Sequence, residues 1–537
     1  MEIPALVSTV LAIVFGCYLF ESYVFLNHDP REPAAIRPKV PLIGHLLGLM
    51  KSGPGYYFTK VEVQNKLKVF SLPIFNFKFY VFQDRKYFSA IQRNSRTLSF
   101  VPFVKKATYN IDGNGDKFAQ LQDHIEGGPT AKEYEQVRRK TLAPGPDNDK
   151  MSLVAAQVQL EMVEKLLRDT AQSSAAQIDL FQWVRDTIII STTEGIYGSS
   201  NPHRNPEHTA DFLTYSSKAH ILLGGGLLAN FIGRKAVKAR ERNGQRYEEY
   251  FRHGRLEEAS GFVRERSRVM AENGVPTRDT ARSHLGFDIA ALSNFVPTIW
   301  WAVYEIFSRP WLVEAIREEV SGAVSRQDGD SCGGFVLDLS VIRTSSPLLL
   351  SSFQEALRLY MAHAHIRKVL RDTTITLDDR KQLLKKGNYV QMNSIPVLHS
   401  EETWGADEAS FDAYRFIKKK KNPEVPGVAT AADLPSYAFA AWGVSPHICP
   451  ARWFATAGAM TFIALMVLKL DIEAQPEAKG EGPTGRVWKM PQVRGTFVGL
   501  PAPSEPVPVV VRPRKGFEGR WTVETGTPCT RVQLSVP

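Results

Sequence analysis

Residues 3–20 carry no charge and are almost wholly apolar, and the run resumes after Glu21 through residues 22–26. About 20 apolar residues cross a bilayer as a helix, so this run predicts an N-terminal transmembrane helix, with Tyr18, Phe20, Tyr23 and Phe25 suited to the interface. A cleaved signal needs a positive start and a small-residue cleavage site; the chain begins Met1-Glu2 and offers no such site. Arg31, Arg37 and Lys39 come after the run, which by the positive-inside rule leaves the body in the cytosol. Pro30, Pro33, Pro38 and Pro41 then stiffen an extended hinge. From 67 to 90 the pattern turns strand-like and aromatic, and helical periods dominate from there to about Ala323. Residues 326–334, rich in Gly, Asp and Ser, read as a surface loop. Residues 353–359 and the apolar stretch 454–470 read as helices, the second pattern ending near Glu473. The Pro- and Gly-rich remainder reads as short strands and turns, with a valine run at 509–511 and a tight turn at 495–499 entering a cavity. There are no internal repeats.

Composition narrows the picture only a little. A chain of 537 residues would ordinarily hold two to four domains. The net charge of +10 suits nucleic acid, an anionic membrane surface or an acidic protein partner. Cys17, Cys332, Cys449 and Cys529 lie far apart with no CxxC pair. That spacing argues against a disulfide framework or a zinc site and fits a reducing compartment.

The informative cysteine is Cys449, in Trp442-Gly443-Val444-Ser445-Pro446-His447-Ile448-Cys449-Pro450-Ala451-Arg452-Trp453-Phe454-Ala455. A Gly/Ser/Pro turn delivers it to the start of the apolar helix, where free N–H groups and the helix dipole favour thiolate. A lone cysteine beside an apolar helix is ordinarily inert; His447 and Arg452, placed to meet an anionic macrocycle edge, change that reading. The segment resembles the cysteine-ligand loop of cytochrome P450s, Phe-Gly-x-Gly-x-Arg/His-x-Cys-x-Gly-x-x-x-Ala. Trp442 stands for the Phe, Gly443 for the first Gly, His447 for the Arg/His and Cys449 for the ligand, with Ala455 closing the pattern. Ser445 and Ala451 replace the two later glycines.

The resemblance implies a mainly α fold with a smaller β-rich lobe, one large unit that replaces the domain count suggested by length. Its divisions would be an anchor at 1–26, a proline-rich hinge and entry segment at 27–60, the catalytic domain at 61–515 and a tail at 516–537. The stretch 38–45 looks like the proline hinge of microsomal, fungal-type members. It implies iron-protoporphyrin IX (haem b) on Cys449. Phe353-Gln354-Glu355-Ala356-Leu357-Arg358 and Phe411-Asp412-Ala413-Tyr414-Arg415-Phe416 resemble the motifs whose Glu, Arg and Arg form a buried triad; carried over, these are Glu355, Arg358 and Arg415. Glu355 and Arg358, three apart, share a helix face, though as a surface pair they would be worth little. The run ending Ile366-Arg367 looks like the branch of the sterol 7-alpha-hydroxylases and prostacyclin synthase, and implies that Arg367 binds a propionate, which its planar fork suits. Tyr134-Glu135-Gln136-Val137-Arg138 is the nearest match to Trp-x-x-x-Arg, making Arg138 a second propionate candidate; a solvated basic turn is the competing reading.

The helix expected over the haem departs from the family. In Ser293-Asn294-Phe295-Val296-Pro297-Thr298-Ile299-Trp300-Trp301, Val296 takes the acid position and Pro297 that of the first Thr. The usual acid–alcohol pair is missing, and an interior proline kinks a helix. Asn294 and Thr298 are the catalytic candidates left, although Asn294 could simply satisfy the broken backbone.

These features lead to a membrane-bound monooxygenase acting on a lipophilic small molecule such as a sterol or terpenoid, in a cavity lined by Phe100, Val101, Phe103, Phe295, Trp300 and Phe497. A glycine stretch at 224–228 would dip into the membrane. Partners implied are an NADPH–cytochrome P450 reductase, docking on a basic face near the cysteine loop, and the endoplasmic reticulum membrane, crossed once with the body cytosolic; no nucleic acid is implied. Lys418, Lys419, Lys420 and Lys421 read equally as part of that face or as a solvated charge run. A haem-thiolate isomerase or dehydratase, needing no reductase, is the alternative, and a haem carrier without turnover the third.

Overall fold

Polar residues beside the apolar runs set where the helices begin. The computed structural model describes residues 3–26, 28–53, 55–57, 67–123, 128–171, 175–253, 255–327, 334–377, 380–418, 427–428, 434–494 and 500–534. The helices that position the site are α1 (Ile3–Leu26), α2 (Gly128–Leu142), α3 (Pro146–Ala171), α4 (Leu180–Tyr197), α5 (Pro206–Ser216), α6 (Arg234–Arg252), α7 (Thr277–Leu292), α8 (Phe295–Phe307), α9 (Pro347–Tyr360) and α10 (Arg452–Lys469). Asp179 caps α4 through the Phe181 N–H, and Asn205 caps α5 through that of Glu207, with Pro206 in the first turn. Each cap satisfies a donor that the helix leaves free.

α10 is the centre of the main core. Phe462, Ile463, Leu465, Met466, Val467 and Leu468 are fully buried, and each such side chain stabilises by about 1.5–3 kcal/mol. Among the fully described residues, α10 alone is long and apolar enough to cross a membrane, but 83% of it lies inside the body. It packs against α3, α8 and α9. The smaller lobe is a five-stranded sheet of β1 (Val69–Ile74), β2 (Phe77–Phe82), β3 (Leu98–Ser99), β4 (Ala364–Val369) and β5 (Tyr389–Asn393), in the order β1-β2-β5-β4-β3. β2 and β5 run parallel and the other neighbours antiparallel. The mainly α body with a β-rich lobe is therefore what forms. α1 is one continuous helix that presents Phe15, Tyr18, Leu19 and Tyr23 outward.

Several local expectations change. The strand-like stretch 67–90 closes as the hairpin β1–β2 and then turns helical at Arg85–Arg93, capped by Asp84. The expected loop at 326–334 is flanked by strands, Val324–Gln327 and Gly334–Asp338, which pair antiparallel. The pattern after Cys449 ends as a helix at Lys469 and continues to Ala474 as a strand, pairing with Pro508–Pro513, which holds the valine run. Both continuations keep the apolar residues inside, so hydrophobicity alone does not mark the change. Beyond 515 the chain is held by the body: Arg520–Glu524 pairs parallel with Gly334–Asp338, and the Cys529 N–H donates to Asp149 at 2.6 Å. The turn expected at 495–499, Phe497 included, and Lys419, Lys420 and Lys421 lie outside the described residues.

Candidate active site

The cysteine loop is built on backbone contacts. A short helical turn, Ala440–Trp442, leads into Gly443 at φ 108° and ψ −179°, a conformation essentially confined to glycine. A Cβ there would stand 2.7 Å from the His447 carbonyl oxygen. The Cys449 N–H donates to the Trp442 carbonyl at 2.8 Å, closing the loop. Ser445, in place of the family's second glycine, accepts from Gln92 Nε2 at 2.8 Å and ties the loop to the helix Arg85–Arg93.

Cys449 lies deep in the body yet keeps free surface, as a group bordering an internal space does. Burial pushes its pKa up; the Ala451 N–H and the charges of Arg452 and Arg138 oppose this and lose. The helix terminus therefore does not suffice for a free thiolate, and an anionic sulfur here requires a cation bonded to it. Arg452 does not face that space: its Nη1 donates to the Cys449 carbonyl at 2.9 Å, and its guanidinium lies 3.6 Å from the centre of the Trp453 ring.

Arg367 is the strongest electrostatic feature. It is buried, donates from Nη1 to the Ile366 carbonyl at 2.7 Å and from Nη2 to the Val444 carbonyl at 3.4 Å, and meets no carboxylate among the described residues. Burial lowers its pKa to about 10. Its guanidinium stands 5.5 Å from the centre of the Phe100 ring, and the His447 ring lies 5.1 Å from that same ring. Arg367, Phe100 and His447 thus form one wall. His363 and His365 continue it with ring centres 4.7 Å apart. Burial, with the Arg367 charge adding to it, lowers the His363 pKa to about 4 and holds His365 well below its usual range, so both are neutral.

The triad assembles as its motifs imply. Glu355 accepts from Arg358 Nε at 2.7 Å and Nη2 at 2.8 Å, and from Arg415 Nε at 2.8 Å. Glu355 and Arg358 are fully buried. Asp407, which no spacing signalled, adds a contact to Arg415 Nη2 at 3.0 Å across a turn. The brace reaches the cysteine loop through rings. Trp404 lies 5.7 Å from Phe416 and 6.4 Å from Phe439, and Phe416 lies 5.2 Å from Phe439, the residue before the helical turn.

The helix pair α7–α8 breaks at Ser293-Asn294. Pro297 has no N–H, so the Ser293 carbonyl loses its helical partner. The Asn294 carbonyl accepts from the Thr298 N–H at 3.1 Å and from Thr298 Oγ1 at 2.8 Å. Thr298 therefore shapes the kink with its hydroxyl, and Asn294 Oδ1 stays buried without a partner. Phe295 points at α10, where its ring would meet a Cβ on Gly458 at 3.7 Å. Arg138 is exposed on α2, within electrostatic reach of Cys449. Tyr134 does not take the role of the family's Trp: it is buried against Phe118 and its hydroxyl accepts from Arg266 Nε at 2.6 Å. Trp300 also leaves the expected cavity set, packing on Phe181 of α4 with ring centres 5.4 Å apart. Phe103 stacks on Phe100 and lines a cleft of about 790 Å³ with Leu223, Ile366 and Phe20.

The family model for cytochrome P450 matches residues 260–492, the span holding the kink, the triad and the cysteine loop. Over almost its whole length the chain is similar to the cytochrome P450 monooxygenase nodJ of Hypoxylon pulicicidum, 29% identical over 527 residues, covering 96% of each chain. The family match, the chain's relatives and its fold together support a member of the cytochrome P450 superfamily. A cytochrome P450 monooxygenase of Gibberella zeae is 27% identical over 448 residues, 83% of this chain and 82% of that one. Cytochrome P450 7A1 of Rattus norvegicus is 26% identical over 197 residues, 36% of this chain and 39% of that one. Among solved structures, retinoic acid-bound cyanobacterial CYP120A1 superposes with a TM-score of 0.67 at 14% identity, covering 91% of this P450 and 100% of that chain.

This P450 is thus an oxidoreductase whose cofactor is haem, and the wall described above fits that group. A buried guanidinium with only neutral carbonyls as partners lacks an anion, which a propionate supplies. A deep thiol bordering free space lacks a cation, which iron supplies. From the sequence, His363 and His365 could face the haem edge or be merely structural; the start of β4 sets them beside Arg367.

Proposed function

We propose that this P450 is a membrane-anchored monooxygenase that hydroxylates or otherwise oxidises a lipophilic small molecule, such as a sterol, terpenoid or other secondary metabolite, with O2 and electrons from an NADPH–cytochrome P450 reductase. The observation that carries the reading is Cys449 on the turn into a buried helix, with the uncompensated guanidinium of Arg367 bonded to the same loop at Val444. In this reading Cys449 ligates the iron, while Arg367, His447 and Arg138 hold the propionates. Haem bound there supplies thiolate-assisted oxygen activation.

The chain's own residues supply the rest. Glu355, Arg358 and Arg415 fix the loop that aims the sulfur. Asn294 Oδ1, buried without a partner at a kink where the Ser293 carbonyl has no Pro297 N–H to accept, is able to hold a water and pass a proton where the family uses an acid and an alcohol. Thr298 keeps the kink in shape. His363 and His365, neutral at physiological pH, add no charge to a cavity meant for an apolar guest.

The membrane reading is supported by apolar surface. Leu227, Phe231 and Ile232 are 90%, 72% and 60% exposed on the short helix Gly226–Ile232, which follows the glycine stretch. Val40, Ile43, Leu47 and Met50 are exposed near the hinge. Phe20 of α1 and Leu223 line one cleft, so the anchor's end and this apolar surface belong to one side, the side facing the endoplasmic reticulum membrane while the body stays cytosolic. Arg139 and Arg531 each lie within electrostatic reach of Arg452 near the cysteine loop, a basic face for an acidic reductase.

The test uses the full-length protein in membranes with reductase, NADPH and a lipophilic metabolite extract. The reduced carbon monoxide complex is expected to show a thiolate-type Soret band that Cys449→Ala abolishes, and one extract component is expected to gain oxygen. Turnover of a hydroperoxide without NADPH would point instead to an isomerase, and a normal band with neither activity to a carrier.

A further inference from the structure

Outside the haem wall, one group of buried side chains has more ligand capacity than the protein uses. The short helical turn Pro202–Arg204 directs His203 inward, and His208 follows in the first turn of α5. α7 presents Asp288 to both. His203 Nε2 stands 3.2 Å from Asp288 Oδ2, and the rings of His203 and His208 are 4.5 Å apart at 79°. One ligand atom from each of His203, His208 and Asp288 lies within 4.8 Å of the others, the only such trio among the described residues, and all three residues are buried.

Internal hydrogen bonding leaves this trio unfinished. Asp288 accepts from the Tyr197 hydroxyl at 3.0 Å and the Tyr247 hydroxyl at 2.6 Å. His203 Nδ1 faces Thr209 Oγ1 at 3.2 Å, and that hydroxyl in turn donates to the His203 carbonyl. Thr209 can accept the Nδ1–H, and in that tautomer Nε2 keeps its lone pair toward the trio; in the other, the Nε2–H donates to Asp288. Neither ring nitrogen of His208 has a partner, although a buried polar group left unpaired costs about 1–3 kcal/mol. For His203 and Asp288 the outer shell of a metal site is in place: metal-bound histidine ordinarily donates its other N–H, as His203 can to Thr209, and ligating carboxylates are themselves hydrogen-bonded, as Asp288 is by two tyrosines.

We propose that His203, His208 and Asp288 bind one zinc ion that pins the Pro202–Arg204 turn and α5 to α7. Two imidazoles and a carboxylate suit zinc, with a water completing the tetrahedron. Ligand atoms about 2.0–2.1 Å from the metal stand roughly 3.4 Å apart; the His203–Asp288 pair is already there, and only His208 needs to close in. Cysteine spacing gives no sign of this site because no cysteine takes part. Its role is structural, since the trio's hydrogen-bond and ring partners among the described residues include no haem-wall residue.

The test is the zinc-to-iron ratio of the full-length haem protein, expressed with zinc and dialysed against a chelator, together with X-ray absorption at the zinc edge. Near-stoichiometric zinc in an imidazole and oxygen environment, lost in His208→Gln while the carbon monoxide band persists, is expected. Wild-type protein with only trace zinc, sulfur ligation at the zinc edge, or His208→Gln that keeps its zinc would overturn the proposal. Should His208→Gln fail to fold, the wild-type ratio and edge spectrum still decide.

Discussion

Replacing Glu355 by glutamine removes one negative charge and almost no volume. Glu355 accepts four hydrogen bonds, three from guanidinium groups and one from the Asp412 N–H at 3.2 Å. The side chains left behind are 0% exposed for Arg358 and 9% for Arg415. Glutamine keeps one acceptor oxygen but turns an NH2 toward a guanidinium. Breaking a buried ion pair by removing one partner costs about 3–5 kcal/mol. Asp407 still faces Arg415, but its side chain is 60% exposed, and such pairs are worth about 0–1 kcal/mol. We therefore expect Glu355→Gln to destabilise by about 3 kcal/mol, a factor above roughly a hundred in the folding equilibrium. Asp407→Asn should cost about 1 kcal/mol or less. Urea unfolding followed by tryptophan fluorescence and the haem band measures both. Because Trp404, Phe416 and Phe439 carry the brace to the cysteine loop, Glu355→Gln should also convert part of the carbon monoxide complex to a form without thiolate ligation. A Glu355→Gln protein within about 1 kcal/mol of wild type, with an unaltered band, would refute the reasoning.

Three further outcomes are expected. Gly443→Ala forces a Cβ to within 2.7 Å of the His447 oxygen at φ 108°, a strain of about 1–3 kcal/mol, and should sharply lower haem per polypeptide in the purified protein. Arg367→Leu removes a buried cation whose pKa burial has lowered to about 10, so the haem-free protein should be no less stable while haem affinity falls; loss of stability without loss of haem would contradict the assignment. Glu319 accepts from the Leu348 and Leu349 N–H groups at 2.6 and 2.9 Å at the start of α9, and burial raises its pKa to about 7. The folded state then holds a proton that the unfolded state releases near pH 4.5, so its contribution is full below that pH and is lost as pH rises to about 7. Glu319→Gln should flatten the fall in stability between those values, measured by unfolding midpoints across the pH series.

Much of this site is legible in the chain because its chemistry sits in contiguous runs. The cysteine loop, the Glu355/Arg358 helix and the Pro297 kink are each confined to a short stretch, where spacing fixes geometry. What the sequence hides depends on tertiary placement. Asp407 reaches Arg415 across a turn, and Phe100 joins Arg367 to His447 only because β4 and the loop meet. Ser445 reads as a lost glycine; it is a hydrogen-bond acceptor for Gln92, a residue 353 positions away. Tyr134 matches a motif by spacing, but the packing of α2 turns its hydroxyl to Arg266. The helix-to-strand change at Lys469 is invisible to the apolar pattern because Leu470 and Ala474 are buried in the strand just as the apolar residues of the helix before them are.

The pairing of Arg520–Glu524 with Gly334–Asp338, and the bond from Cys529 to Asp149, 380 residues earlier, bear on biosynthesis. Until Arg520–Glu524 leaves the ribosome, Gly334–Asp338 exposes an unfilled edge, the kind of surface that recruits foreign strands. Emergence of this late segment is thus the event that lets the polypeptide seal itself, and messages truncated before the Arg520 codon should yield aggregates where one would expect a merely shortened enzyme.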